Sequence, residues 1–161
     1  MKRRAMILSF LLLPGLLLAG CGGGGSGGGV PKTDYLAKAE AVCVKANADR
    51  KALPSPSGAS DVAPYVRKLV DIAGRATTAL AALSPPKADA AQLQAKVVGP
   101  LQAQLGDGQR FADDVEAAAK RNDNAALLGL VANPPNKTRA DLPFMRKYGF
   151  KACVAAADTS S

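Results

Sequence analysis

The sequence predicts an all-α fold, a four-helix-bundle-like antiparallel domain stapled by one disulfide. Apolar residues recur at every third or fourth position through several segments, and no window alternates between apolar and polar residues as a half-buried strand does. Proline-rich breaks separate these segments, with P-S-P-S-G at 54–58, S-P-P at 84–86 and N-P-P-N at 133–136. Cys43 and Cys153 lie near the two ends of the helical part.

The first 20 residues have the layout of a cleavable export signal. A basic start, M-K-R-R, precedes an apolar run over residues 5–18 that Pro14 and Gly15 interrupt. The run is shorter than the ~20 residues that a membrane-spanning helix needs, and Pro14 would break such a helix. We therefore expect residues 1–20 to be a signal peptide.

Four residues where this signal ends form a more specific pattern. Leu18, Ala19, Gly20 and Cys21 stand at positions −3, −2, −1 and +1, and they resemble the bacterial lipobox at all four positions. The resemblance implies lipidation of the Cys21 thiol, cleavage before Cys21, and a protein held to the extracytoplasmic face of the cell membrane. Two or three acyl chains make a lasting anchor, whereas one holds only marginally. The alternative is an ordinary secretory signal followed by a chance cysteine.

Residues 21–32 are expected to be the lipidated cysteine and a flexible tether. Glycine fills positions 22–29 except at Ser26. A glycine tract of this length reaches about 15–18 Å. The Lys-Ser/Thr ending of a phosphate-binding P-loop is absent from the sequence, so this tract is a spacer.

A helical domain is expected over residues 33–153. Its first helix should begin at Thr33, a favourable N-cap, and end at the break over 54–58. The second helix should run from the N-cap Ser60 to about Leu83.

The third helix should run from near Asp89 to about Arg121, because its apolar residues keep their spacing throughout. Gly99 precedes Pro100 within this span and should kink the helix, since proline removes a backbone donor. Two helices that meet at Gly99 are the competing interpretation.

Two shorter helices should follow, over residues 125–131 and 138–148. Pro143 should weaken or kink the last one, and Gly149 is well placed just beyond its C-terminus. Residues 154–161 are expected to form a disordered tail.

The net charge limits the kinds of partner that this protein is expected to bind. Loss of Lys2, Arg3 and Arg4 with the signal lowers the formal charge from +8 to +5. An exported protein of this charge is not expected to bind nucleic acid. The expected partners are the membrane through the lipid anchor, and an envelope protein, anionic lipid or anionic wall polymer. Simple solubility explains the charge equally well, and no cofactor is expected.

If Cys21 carries the lipid, Cys43 and Cys153 are the two cysteines that remain. Such a pair in an exported protein predicts a disulfide, and closing so long a loop stabilises by about 4–5 kcal/mol in the chain-entropy model. Two free buried thiols are the alternative. Two thiols in a sequence without histidine make an incomplete zinc site, so no metal is expected.

No catalytic residue can be assigned. The absence of histidine from the sequence excludes Ser-His and Cys-His pairs. The densest acidic group consists of Asp107, Asp113, Asp114 and Glu116. Paired carboxylates can serve acid/base chemistry or bind Ca²⁺. At helical spacing, however, Asp113 and Glu116 can pair with Arg110 and Lys120, which favours a solvated helix face.

A basic-aromatic cluster lies near the C-terminus, where Arg146 and Lys147 neighbour Tyr148 and Lys151. Such a cluster can touch an anionic surface. Compensation of the dipole at a helix C-terminus explains the same residues equally well.

The two ends of the helical part resemble a known group. Residues 35–43 read Y-L-A-K-A-E-A-V-C, and residues 148–153 read Y-G-F-K-A-C. Both ends are similar to those of uncharacterised small helical lipoproteins of high-GC Gram-positive bacteria. The resemblance implies a helical bundle and supports pairing of Cys43 with Cys153, and it implies no active site.

Two classes of function follow from these observations. The first is a non-catalytic binding or scaffolding module of the cell envelope, anchored by lipid. The alternative is an envelope enzyme that uses carboxylates such as Asp113 and Glu116, or a small-ligand carrier or stress sensor. An enclosed pocket between the helices would favour the carrier or sensor.

Overall fold

The computed structural model describes residues 30–135 and 138–158, and the elements in these ranges are all helical. They are α1 (Lys32–Lys51), α2 (Ala59–Ala81), α3 (Ala90–Leu93), a π-helical segment (Gln94–Val98), α4 (Gly99–Lys120), α5 (Asn124–Ala132), α6 (Leu142–Tyr148) and α7 (Ala152–Asp158). The prediction of an all-α, disulfide-stapled domain is therefore confirmed. The predicted signal peptide, residues 1–20, lies outside the described residues.

The α2 helix begins one residue before its predicted cap. Gly58, rather than Ser60, occupies the N-cap position, and no side chain caps the helix. The carboxylate of Asp61 instead accepts hydrogen bonds from the backbone N–H of Ser57, at 3.0 Å, and from the Ser57 hydroxyl. These bonds lower the pKa of Asp61, because they favour its charged form.

The third predicted helix is continuous from Ala90 to Lys120. This confirms a single helix rather than two helices that meet at Gly99. Its irregularity is the π-helical segment just before Pro100. Pro100 has no N–H, and the N–H of Gly99 reaches back five residues to the carbonyl oxygen of Gln94. A Cβ at Gly99 would lie 3.0 Å from that oxygen, so glycine permits the wider turn.

The α2 and α4 helices pack antiparallel. Arg67 on α2 pairs with Asp113 on α4, whereas Gly74, two turns further along α2, lies against Leu105. Residue numbers on α4 thus fall as those on α2 rise. The short helices cover the long ones, with α5 packed on α4 and α7 packed on α1.

The last predicted helix is shorter than expected, since α6 begins at Leu142. Its N-cap is Asp141, whose carboxylate accepts a 2.9 Å hydrogen bond from the N–H of Phe144. Pro143 lies in the first turn, where its missing N–H costs nothing, so it starts the helix rather than weakening it. Gly149 ends α6 at φ 118°, as predicted, and its N–H bonds to the carbonyl oxygen of Met145.

The prediction of a disordered tail over residues 154–161 is wrong for residues 154–158, which belong to α7. Val154 is only 5% exposed, and Cys153 is fixed to α1 by the disulfide. The helical domain therefore continues beyond residue 153. Residues 159–161 lie outside the described part of the chain.

Buried side chains form two separate clusters. The first core surrounds the beginning of α1 and includes Tyr35, Cys43, Leu93, Met145 and Phe150. The second core lies where α4 meets α5 and consists of Ala63, Val115, Ala118 and Leu127. The middle of the bundle separates the two.

Candidate functional site

An apolar pocket of about 540 Å³ lies between the two cores, with walls from α1, α2, α4 and α7. Its volume is within the range of roughly 300–1,000 Å³ that is typical of small-molecule sites. Apolar side chains that line it from α2 and α4 include Val66, Leu69, Ile72, Ala76, Leu80, Leu101, Leu105 and Phe111. The bundle therefore presents a concave apolar surface between its helices that is partly open to solvent.

Small residues leave this space between the helices. Ala46, Ala73, Gly108 and Ala156 each line the pocket, one from each of four helices. Ala73 is exposed although it lies between helices, because no larger side chain fills the space beside it. Protein interiors are normally packed without voids of this size. The small side chains at these four positions therefore leave the space open in the middle of the bundle.

The predicted disulfide is confirmed, and it forms part of the pocket wall. Cys43 and Cys153 are joined across α1 and α7, with their Cα atoms 5.0 Å apart. Ala156 and Ala157 continue the same wall along α7. The sequence predicted the pairing but not its position beside a pocket.

Three hydrogen bonds also hold α7 against α1. The two carboxylate oxygens of Glu40 accept from the backbone N–H groups of Lys151, at 2.8 Å, and Ala152, at 2.6 Å. Asn47 donates from its side-chain amide to the carbonyl oxygen of Ala152, at 3.1 Å. A carboxylate is favourable at a helix N-terminus because it satisfies free N–H groups and opposes the helix dipole. The α7 wall is therefore fixed by α1.

A few polar side chains interrupt the apolar lining. They are Asn47, Arg50, Thr77, Gln104 and Thr138. Arg50, on the last turn of α1, is the only charged residue among the described residues that line the pocket. The pocket thus combines a long apolar surface with one positive charge.

A second depression, of about 590 Å³, follows the outer groove between α2 and α4. Its lining includes the charged side chains of Arg67, Asp71 and Arg75. Only these two helices bound it, and its lining carries more charged side chains than that of the pocket between the cores. We therefore take the pocket between the cores as the candidate site.

Three members of the acidic group predicted on the third helix, Asp107, Asp113 and Glu116, form ion pairs. Arg67 bonds to Asp113 at 2.6 Å and to Glu116 at 2.7 Å, while Arg110 bonds to Asp107. The hydrogen-bonded partner of Asp113 and Glu116 is thus Arg67 on the neighbouring helix, not Arg110 or Lys120 as predicted. The bond from Arg67 lowers the pKa of Glu116, the opposite of what a general acid requires.

The predicted basic-aromatic cluster is divided by the fold. Tyr148 is buried, and its hydroxyl donates a 2.7 Å hydrogen bond to Asp89. Burial, with this bond, raises the pKa of Tyr148. Arg146 pairs instead with Asp158, at 2.7 Å. The ring belongs to the first core, and the cations around it lie on the surface.

The predicted lipobox residues Leu18, Ala19, Gly20 and Cys21 lie outside the described residues. Within the described ranges, no group of three or more His, Cys, Asp or Glu side chains is placed to hold a metal ion. None of the described helices is long and apolar enough to cross a membrane. Comparisons with protein-family models, curated proteins and solved structures found no match to this chain.

Proposed function

We propose that this protein is a lipid-anchored, non-catalytic binding module on the extracytoplasmic face of the cell membrane, and that it holds a small apolar ligand between its helices. The observation that supports binding is the pocket of about 540 Å³ between the two cores. The lipobox pattern at residues 18–21, followed by the glycine tract, supports the anchor.

The chemistry of the pocket favours a ligand over water. Exposed apolar surface costs about 25 cal/mol per Å², and a ligand that covers it recovers this free energy. The disulfide and the hydrogen bonds that Glu40 accepts from Lys151 and Ala152 fix α7 before a ligand arrives. A wall that is already ordered reduces the entropy lost on binding.

The carboxylate enzyme has less support. Asp113 and Glu116 share one arginine on the bundle surface, and neither lines the pocket between the cores. An ion-pair network between α2 and α4 on the protein surface accounts for this arrangement without a catalytic role.

The anchor is tested by fractionating cells that produce the full chain. Replacing the lipidated thiol, Cys21→Ser, should move the protein from the membrane fraction to the soluble fraction. Ser26→Ala is the matched control, since it changes a residue of the same tether, keeps Cys21, and should leave membrane retention unchanged. Full retention of the Cys21→Ser protein in membranes would contradict lipid anchoring.

Binding is tested by photolabelling the full chain in cells with a hydrocarbon that carries a diazirine. Adducts, mapped by mass spectrometry, should fall on the tryptic peptides 69–75 and 97–110, which line the pocket from α2 and α4. Ala73→Phe fills the pocket and should remove these adducts.

Ala81→Phe is the matched control for the photolabelling. Ala81 is exposed on the same helix and does not line the pocket, so its substitution should leave the adducts in place. Absence of adducts from both peptides, or labelling that Ala73→Phe does not reduce, would refute ligand binding at this site.

A further inference from the structure

The α5 helix exposes large apolar side chains on its outer side. Leu128 is 71% exposed and Val131 is 45% exposed, although Leu127 between α5 and α4 is buried in the second core. No residue of α5 is charged. Apolar surface is stabilised by leaving water, and a helix without charges can enter lipid without removing a charged group from water. The outer side of α5 therefore suits an apolar partner.

This exposed side of α5 is continuous with the pocket between the cores. Val131 lines the pocket although it is exposed, so it lies where the pocket opens. Pro135, which follows α5 and is also exposed, lines the pocket as well. An apolar surface therefore extends from Leu128, on the outside of α5, through Val131 to the pocket lining.

The expected tether is long enough to bring α5 to the membrane. Val30, where the described chain begins, packs against the first core, whereas α5 packs on the second. Leu80 and Ala63 belong to these two cores and are 17 residues apart on α2, which corresponds to about 25 Å. The nine residues 21–29 span up to about 30 Å when extended. Lipid at Cys21 therefore allows the bundle to lie along the bilayer with α5 against it.

Basic side chains lie beside the exposed side of α5. Lys120 and Arg121 are exposed and precede α5 across a short turn. Asp123 lies between them and α5, and its carboxylate accepts a hydrogen bond from the N–H of Ala126 as the N-cap. Cations beside an apolar helix face are typical of helices that lie in the interface of a bilayer, where they meet anionic headgroups. A second copy of the chain on this face would instead bring its own two cations to the interface, so lipid is the better partner.

We propose that α5 docks on the bilayer that holds the lipid anchor, with Leu128 and Val131 below the headgroups, and that the pocket opens towards the membrane. This inference rests on the proposed anchor and adds a second contact with the membrane. The anchor already holds the domain at the bilayer, so docking does not lose the translational entropy of binding from solution, and two apolar side chains are sufficient.

The test uses full-length protein purified from membranes. It is reconstituted into vesicles of phosphatidylglycerol and phosphatidylethanolamine that contain lipid with a nitroxide on its acyl chain. Ala132→Cys provides a thiol for a fluorescent label on the exposed side of α5, one turn beyond Leu128 and outside the pocket lining. Cys43 and Cys153 are paired and do not react with the label. A nitroxide quenches only fluorophores close to it, so docking should shorten the fluorescence lifetime of the label.

The matched variants each replace one exposed apolar side chain in the labelled protein. Leu128→Gln should lower the ratio of docked to undocked protein about tenfold, because a glutamine side chain gains little from leaving water. Val44 is also large, apolar and exposed, but it lies on α1. Val44→Gln should therefore leave the ratio unchanged.

Flotation of the same vesicles separates this inference from the proposed anchor. Protein that floats with the vesicles but is not quenched, or is quenched equally in the Leu128→Gln variant, would refute docking and leave the anchor standing. A label in an apolar environment without nitroxide quenching would identify a second copy of the chain on α5, and would also refute docking. Protein that does not float would show that both proposals are wrong.

Discussion

Glu40 on α1 accepts a 2.6 Å hydrogen bond from the backbone N–H of Ala152, the first residue of α7. The two residues are 112 positions apart in the chain. A helix N-terminus is usually satisfied by a side chain immediately before it. Here the cap comes from another helix, so the order of α7 depends on tertiary structure.

Removing this cap should weaken α7. We expect Glu40→Ala to lower the free energy of unfolding by about 1 kcal/mol, as loss of an N-cap commonly does. Urea denaturation measures the loss, and hydrogen exchange should show faster exchange across residues 152–158. Glu40→Gln keeps an acceptor oxygen and should lose less. A Glu40→Ala protein with normal stability and normal exchange in α7 would show that the cap is unimportant.

The disulfide should carry a large share of the stability. Non-reducing mass spectrometry should find a peptide that links Cys43 to Cys153. The double variant Cys43→Ala/Cys153→Ala should lower the free energy of unfolding by up to about 4–5 kcal/mol, because the unfolded chain is no longer constrained. Cys21→Ser, which leaves the pair intact, serves as the control. Free thiols at both positions in the native protein would contradict the pairing.

Gly149 should be intolerant of substitution. Its φ of 118° is unfavourable for any residue with a Cβ, and the added Cβ would lie 3.1 Å from Leu36. Gly149→Ala should therefore destabilise by about 1–2 kcal/mol. Gly129→Ala is the matched control, since Gly129 lies within α5 with nothing near its Cβ position, and it should stabilise by up to about 1 kcal/mol. Thermal unfolding that shifts equally in both variants would refute this prediction.

Stability should decrease in acid. Hydrogen bonds lower the pKa values of Asp61, Glu116 and Asp141, for Glu116 chiefly the bond from Arg67. A carboxyl with a lowered pKa stabilises the folded state when the pH is above its ordinary pKa, which is 3.8 for Asp and 4.5 for Glu. This contribution is lost as the pH falls through the lowered pKa. Urea midpoints should therefore drop below about pH 4.5.

The Glu116→Gln variant separates one carboxyl from the others. It should be less stable than the natural chain at pH 7, and the difference should shrink as the pH falls through the lowered pKa of Glu116. A difference that stays constant between pH 7 and pH 3 would show that the charge of Glu116 is not the cause.

Local signals in the sequence were sufficient to predict much of the fold. The spacing of apolar residues located the long helices. Gly149 was identified because glycine readily adopts the left-handed backbone conformation that often ends a helix. The two cysteines that remain after Cys21 predicted the disulfide. Each of these inferences depends on residues close in sequence or on a simple count.

Contacts between distant residues account for what the sequence did not predict. The α7 helix depends on Glu40 and the disulfide, and the partner of Glu116 lies on α2. The pocket depends on where four helices leave small residues opposite one another, such as Ala73 and Gly108. The spacing of apolar residues does not predict such a space, because helices with the same spacing form a filled core when larger side chains lie opposite one another.

The most direct measurement is solvent extraction of full-length protein purified from membranes, followed by mass spectrometry of the extract. The lipid proposed at Cys21 would be attached covalently and would stay on the protein, so the extraction should release only non-covalent ligand. The natural chain and Ala81→Phe should each yield about one small apolar molecule per protein, and Ala73→Phe should yield almost none, because its side chain fills the pocket. Extracts without such a molecule, or equal amounts from all three proteins, would contradict a ligand site between the two cores.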